Sequence, residues 1–135
     1  MNKIKIITDC TSDLTPELYR KHDIEVLPLY VTIGGKTYAD VVEINAEQLY
    51  QKVKEFNELP KTSTITPDAL IKSFKQNLDA GFDILFMGIG SGFSAVYQNA
   101  MLVSAEFPKG RIRVVDSGNL SSGIGLLLLK AAKYR

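Results

Sequence analysis

The sequence predicts an α/β domain with a mostly parallel sheet and helices on both of its faces, and three observations carry that expectation. Four apolar runs of strand length, "IKIIT" (4–8), "IEVLPLYVTI" (24–33), "FDILFMGI" (82–89) and "IRVVD" (112–116), are rich in Ile, Val and Phe. Mostly they do not alternate with polar residues, which suits strands covered on both sides. Helical periods lie between the runs, and this alternation of strand and helix argues for parallel pairing with crossover helices.

Each element has its own local signal. After the first run, Thr15 and Pro16 have the form of a helix start: the hydroxyl caps a free amide and the proline gives up no needed donor. The second run contains Pro28, which cannot donate to a ladder, so this segment is an edge strand or is broken there. "IGGK" (33–36) fits a tight hairpin turn. Asn45 with Gln48 resembles a capping box, and Leu49, Val53 and Phe56 recur at helical spacing behind it. Thr66, Pro67 and Asp68 repeat the helix start, with Asp68 suited to the positive end of the dipole and Leu70, Ile71, Phe74 and Leu78 as the apolar face. Phe93, Val96, Tyr97, Ala100 and Met101 mark a further helix, and Leu126 to Leu129 with Ala132 mark the last.

Composition narrows the function classes. A chain of 135 residues is the size of one domain, 1–135, and large enough to bury about two-thirds of its unfolded surface. Its 16 basic and 15 acidic residues are spread without long runs, which gives no electrostatic reason to expect nucleic acid or an anionic membrane as partner. Cys10 is the one cysteine, so neither an intrachain disulfide nor a cysteine-rich zinc site can form. The start "MNKIKIITD" enters a strand pattern rather than a signal peptide, and a cytoplasmic protein is expected. The strongly apolar "GIGLLLLKAA" (123–132) is about half the length a membrane span needs and reads as a buried helix.

In open parallel sheets, ligands bind beyond the carboxyl ends of the strands. Three such ends are rich in small polar residues here: "TDCTSDL" (8–14), "GIGSGFSAVYQ" (88–98) and "DSGNLSSG" (116–123). With "KTSTIT" (61–66) beside them, the result would be a ring of neutral hydroxyls and glycine backbone, suited to a carboxylate or phosphate rather than to acid–base catalysis. The candidate ligand-binding residues are Thr62, Ser63, Ser94, Ser91, Gly92, Asp9 and Ser121. "GIGSGF" has Phe93 where a dinucleotide fingerprint needs its third glycine, and no P-loop Gly-Lys-Ser/Thr occurs. A serine-hydrolase elbow would need serine at Gly90. His22 reads as a helix-end residue, Asp9 and Asp13 lack a third metal ligand, and Cys10 reads as an inert loop thiol. No cofactor, metal or catalytic residue is expected.

Five stretches, "IITDCTSDLTPEL", "VLPLYVTIGGKTYAD", "LPKTSTITPDAL", "GIGSGFSAVYQNA" and "VVDSGNLSSGIGLLLLKAA", resemble in order and spacing the DegV family of bacterial fatty-acid-binding proteins. The resemblance covers nearly the whole chain. It implies a non-enzymatic protein that encloses one long-chain fatty acid and presents its carboxylate to a partner fatty acid kinase. That kinase forms an acyl phosphate from ATP and feeds phospholipid synthesis. The family's carboxylate-binding hydroxyls match Thr62 and Ser94, and Ser63 would order its loop or offer its amide to the same oxygen. The family usually shows Ser at Cys10 and Gly-Thr at Ala95 and Val96, so contacts around the carboxylate are expected to be fewer here. Family members are about twice as long, and a second lobe supplies the other wall of the lipid cleft with an Arg and a His near the carboxylate. The chain therefore corresponds to the first lobe alone. Two other readings stay open: a lipid-free or truncated module that self-associates through the exposed lobe interface, and a phosphate-ester enzyme using "TDCTSD" and "GSGFS" as phosphate loops.

Overall fold

The structure, a computed structural model, describes residues 3–135. Four parallel strands form the main sheet: β1 (Ile4–Asp9), β2 (Ile24–Leu27), β6 (Asp83–Phe86) and β7 (Ile112–Val114), in the order β2-β1-β6-β7. Five helices accompany them: α1 (Pro16–Lys21), α2 (Ala46–Phe56), α3 (Pro67–Asp79), α4 (Val96–Ser104) and α5 (Ser122–Tyr134). A second, antiparallel sheet is made of β3 (Tyr30–Ile33), β4 (Lys36–Ala39) and β5 (Lys61–Ser63), in the order β4-β3-β5.

The lack of alternation in the strands has the expected meaning. On one face Ile7, Ile84, Phe86 and Ile112 pack with Leu70 and Phe74 of α3 and with Val96, Ala100 and Val103 of α4. On the other, Ile6, Ile24 and Met87 pack with Tyr19 of α1 and with Ile124 and Leu128 of α5. Ile6 and Ile7 are neighbours in β1, so the pleat sends them to opposite faces, and both are fully buried. Phe74 sits at the centre of its layer, with ring centroids 6.0 Å from Phe86 and 6.1 Å from Phe107 in edge-on contact. Side chains of this size each contribute about 2 to 3 kcal/mol when removed from water, so these two layers account for much of what holds the sheet together.

The second apolar run does not stay one strand. The chain breaks at Pro28 between β2 and β3; β2 becomes an edge of the parallel sheet and β3 the centre of the antiparallel one. Gly34 and Gly35 close the β3–β4 hairpin with φ of +58° and +72°, values that a two-residue turn requires and L side chains resist. The "KTS" segment, expected as a loop, pairs with β3 as β5. The run beginning at Phe82 leaves the sheet after Phe86, and α4 begins only at Val96, so Phe93 lies ahead of the helix and is exposed.

Capping follows the local signals. Thr15 accepts from the Leu18 amide, Thr66 accepts from the Ala69 amide, and Asn45 with Gln48 completes a reciprocal box. His22 is the C-cap residue of α1.

Candidate functional site

The connections leaving β1 and β6 depart to opposite faces of the sheet: β1 leads to α1 on one side, and β6 leads to α4 on the other. Between their carboxyl ends the sheet has its topological switch point, where open α/β sheets leave a crevice. Asp9 ends β1 at this point. Its carboxylate accepts the Ile89 amide at 2.7 Å and the Thr11 amide at 2.9 Å, together with the Thr11 hydroxyl. The side chain is wholly buried, so Asp9 joins the β1 and β6 loops and has no free oxygen facing outward. A side chain at Gly88 would place its Cβ 2.3 Å from Asp9 Oδ2, which is why glycine stands there.

The loop from β6 to α4 supplies the donors of the crevice. The amides of Phe93 and Ser94 both donate to the Gly90 carbonyl, at 2.9 and 3.3 Å, and the Ser91 amide donates to Asp116. The amides of Gly92 and Ala95 have no partner among the described residues. Ser94 Oγ accepts weakly from the Val96 amide at 3.4 Å, which leaves its O–H free to donate. Neither φ nor packing demands glycine at 92: a Cβ there would meet nothing within 4 Å. The missing side chain leaves bare backbone next to Ser94, as a closely approached ligand would need.

A contrast among the helices points to the same place. The starts of α1, α2 and α3 are closed by their own side chains, whereas Ala95 at α4 and Ser121 at α5 make no side-chain cap. The two open helix starts follow the loops after β6 and β7. At α5 the Gly123 and Ile124 amides turn back to the Leu120 and Ser121 carbonyls. The start of α4, with the Gly92 and Ala95 amides ahead of it and its positive dipole end, is therefore the one that suits an anion.

The hydroxyl-rich segment divides by role. Thr66 caps α3, and Thr64 Oγ1 accepts from Asn99 Nδ2 of α4 at 3.1 Å. This bond ties the end of β5 to the helix that Ser94 precedes. Thr62 and Ser63 are exposed, and their hydroxyls have no partner among the described residues. Thr62 lies opposite Val31 and Ser63 opposite Tyr30, so the pleat points the two hydroxyls to opposite faces of the sheet. They cannot converge on one oxygen.

Of the other sequence candidates, Ser91 Oγ donates to Asp116 and Ser121 Oγ donates to Asp13 Oδ2 at 2.7 Å, so both hydroxyls are engaged within the protein. Cys10 is buried. Desolvation, first of all, pushes its thiol up to about 12; Asp40 beside it acts in the same direction, and the Leu29 amide that it accepts acts against. Asp116 was not among the candidates, although "DSG" beside a serine-rich turn is a signal for a carboxylate that gathers loop donors.

The structure is thus a doubly wound α/β domain with neutral donors at the loops that meet at its switch point. The family model described as uncharacterised proteins of the DegV family matches residues 3–135, and the chain belongs to the DegV family. A DegV domain-containing protein of Clostridium perfringens is 39% identical over 133 residues, covering 98% of this chain and 48% of the relative. A fatty-acid-binding DegV family protein of Thermus thermophilus superposes with a TM-score of 0.90 at 35% identity, over 98% of this chain and 47% of that one. DegV of Bacillus subtilis, a fatty acid binding protein, superposes at 0.89 with 28% identity, over 98% and 47%. The chain thus spans about half the length of these relatives.

Proposed function

We propose that this chain forms one wall of a long-chain fatty acid site, with the carboxylate held at the loop after β6 and the tail laid along apolar surface beside it. The observation that carries this reading is the set of unengaged donors at one turn: the Gly92 and Ala95 amides and the Ser94 hydroxyl, ahead of the open start of α4. Thr62 adds a second free hydroxyl from β5, Ser63 holds that strand against Tyr30, and Asp9, Ser91 and Ser121 keep the loops in place. Relatives of the same fold that bind fatty acids support the choice of ligand. The alanine at 95 keeps its amide donor, so the departure from the family pattern at 95 and 96 costs a hydroxyl rather than the cradle.

Magnitudes assign the parts. A hydrogen bond to a charged group contributes about 1.5 to 3 kcal/mol, whereas ten buried methylenes contribute about 8 kcal/mol. The tail therefore sets affinity and the cradle sets orientation. Exposed Val41, Val42, Phe93 and Leu120, and an apolar cleft of about 280 Å³ lined in part by Leu14, Tyr19 and Val26, offer surface for it. In this reading the chain performs no chemistry. It presents the carboxylate, in the cytoplasm, to a fatty acid kinase that supplies the phosphoryl group. Among the described residues no helix is long and apolar enough to cross a membrane.

The same exposed apolar rim favours a second reading, in which two copies associate and cover it. Native mass with lipid extraction separates the two: a chain that stays monomeric at high concentration and carries fatty acid argues against association. For the site, Thr62→Val with Ser94→Ala is expected to weaken long-chain fatty acid binding on the order of a hundredfold, and Gly92→Val to block it without unfolding the domain. Unchanged affinity in the folded double variant removes both hydroxyls from the site.

A further inference from the structure

The turn that carries Gly92 and Ser94 is stitched to the loop between β7 and α5. Ser117 Oγ donates to the Gly88 carbonyl at 2.7 Å, and the Gly90 amide donates to the Asn119 carbonyl at 2.9 Å. At Gly90 the loops touch so closely that a Cβ would lie 2.8 Å from the Asn119 nitrogen. The last stitch is Asp116. One of its oxygens accepts the amides of Ser91 and Gly118, each at 3.0 Å, and the other accepts the Ser91 hydroxyl.

Asp116 is exposed and takes part in no salt bridge among the described residues. Its charge is directed at the neutral donors of the two loops. A carboxylate beside a site for another carboxylate repels it, and the three neutral donors aimed at Asp116 reduce that repulsion without cancelling it. The Ser91 hydroxyl first, then the Ser91 and Gly118 amides, hold its carboxyl below the usual range, so it is ionised at neutral pH. By engaging both donors of Ser91, Asp116 holds the peptide that leads to Gly92, an exposed residue whose amide has no partner among the described residues.

We propose that Asp116 is a positioning residue for the carboxylate cradle, acting through Ser91 to aim the Gly92 amide and Ser94 hydroxyl at one ligand oxygen. The inference rests on the fatty acid reading above. It distinguishes headgroup from tail: losing the clasp should weaken ligands that carry a carboxylate and spare those that do not.

The test compares a long-chain fatty acid with the alcohol of the same chain length, by titration calorimetry, on wild type, Asp116→Ala and Asp116→Asn. Asp116→Ala is expected to raise Kd for the acid about tenfold and to change Kd for the alcohol less than twofold. Asp116→Asn keeps a carbonyl oxygen for the two amides and is expected to recover most of the lost affinity. Equal loss for acid and alcohol, or no loss for either, overturns the positioning role while leaving the fatty acid site standing. A wild-type chain that binds neither ligand overturns the proposed function, and the inference with it.

Discussion

Thr66 and Thr62 belong to one short segment, yet their hydroxyls have different fates: the first closes a helix and the second has no partner among the described residues. Cys10 shows how burial decides a side chain's chemistry. A thiol at a strand end ahead of a turn could be activated, but desolvation outweighs the amide it accepts and keeps it neutral. Two consequences follow for measurement. Native Cys10 is expected to react with a thiol reagent at pH 8 at least tenfold more slowly than the unfolded chain, and equal rates would contradict this. The sign with pH is also determined: the unfolded thiol, at its ordinary value of 9.0, releases its proton before the folded one at about 12. Above pH 9 the unfolded state binds fewer protons, so this group's contribution makes stability fall between those two values.

At the scale of elements, α1, α2 and α3 begin with caps that can be read residue by residue, because a cap and its amide lie three positions apart. Thr66→Ala is expected to cost about 1 kcal/mol in a denaturant titration while leaving fatty acid affinity unchanged. Thr62→Val should do the reverse, lowering affinity at unchanged stability. A swap of these outcomes would mean that the two hydroxyls have been assigned the wrong way round. The strand β5 was not legible because its three residues, Lys61, Thr62 and Ser63, carry no apolar signal; pairing with β3 alone makes them a strand. The late start of α4 has a similar cause. Phe93 continues the helical spacing of Val96 and Ala100, but the Gly90 carbonyl holds the Phe93 and Ser94 amides in a turn and delays the helix.

At the scale of the molecule, the two core layers hold the sheet and Asp9 joins the carboxyl ends of β1 and β6 across the switch point. Gly88→Ala tests this junction, since its Cβ would displace an oxygen of the buried Asp9 carboxylate. The expected loss is about 3 kcal/mol, read as a lower denaturation midpoint at unchanged slope. A midpoint unmoved by the added methyl would show that the junction yields without cost and does not set the shape of the crevice.

The sequence by itself determined the α/β class, the central strands, the three side-chain caps and the segments where polar loops gather, because each depends on spacing within a few residues. Tertiary structure decided which of the gathered donors are free. Ser91 meets Asp116 across 25 positions, Asp9 meets Ile89 across 80, and Ser121 meets Asp13 across 108. A hydroxyl's type says that it can donate, whereas its partner is fixed by folding. Only the pairing of distant loops leaves the Ser94 O–H and the Gly92 amide without an acceptor among the described residues while the Ser91 and Ser121 hydroxyls are engaged within the protein.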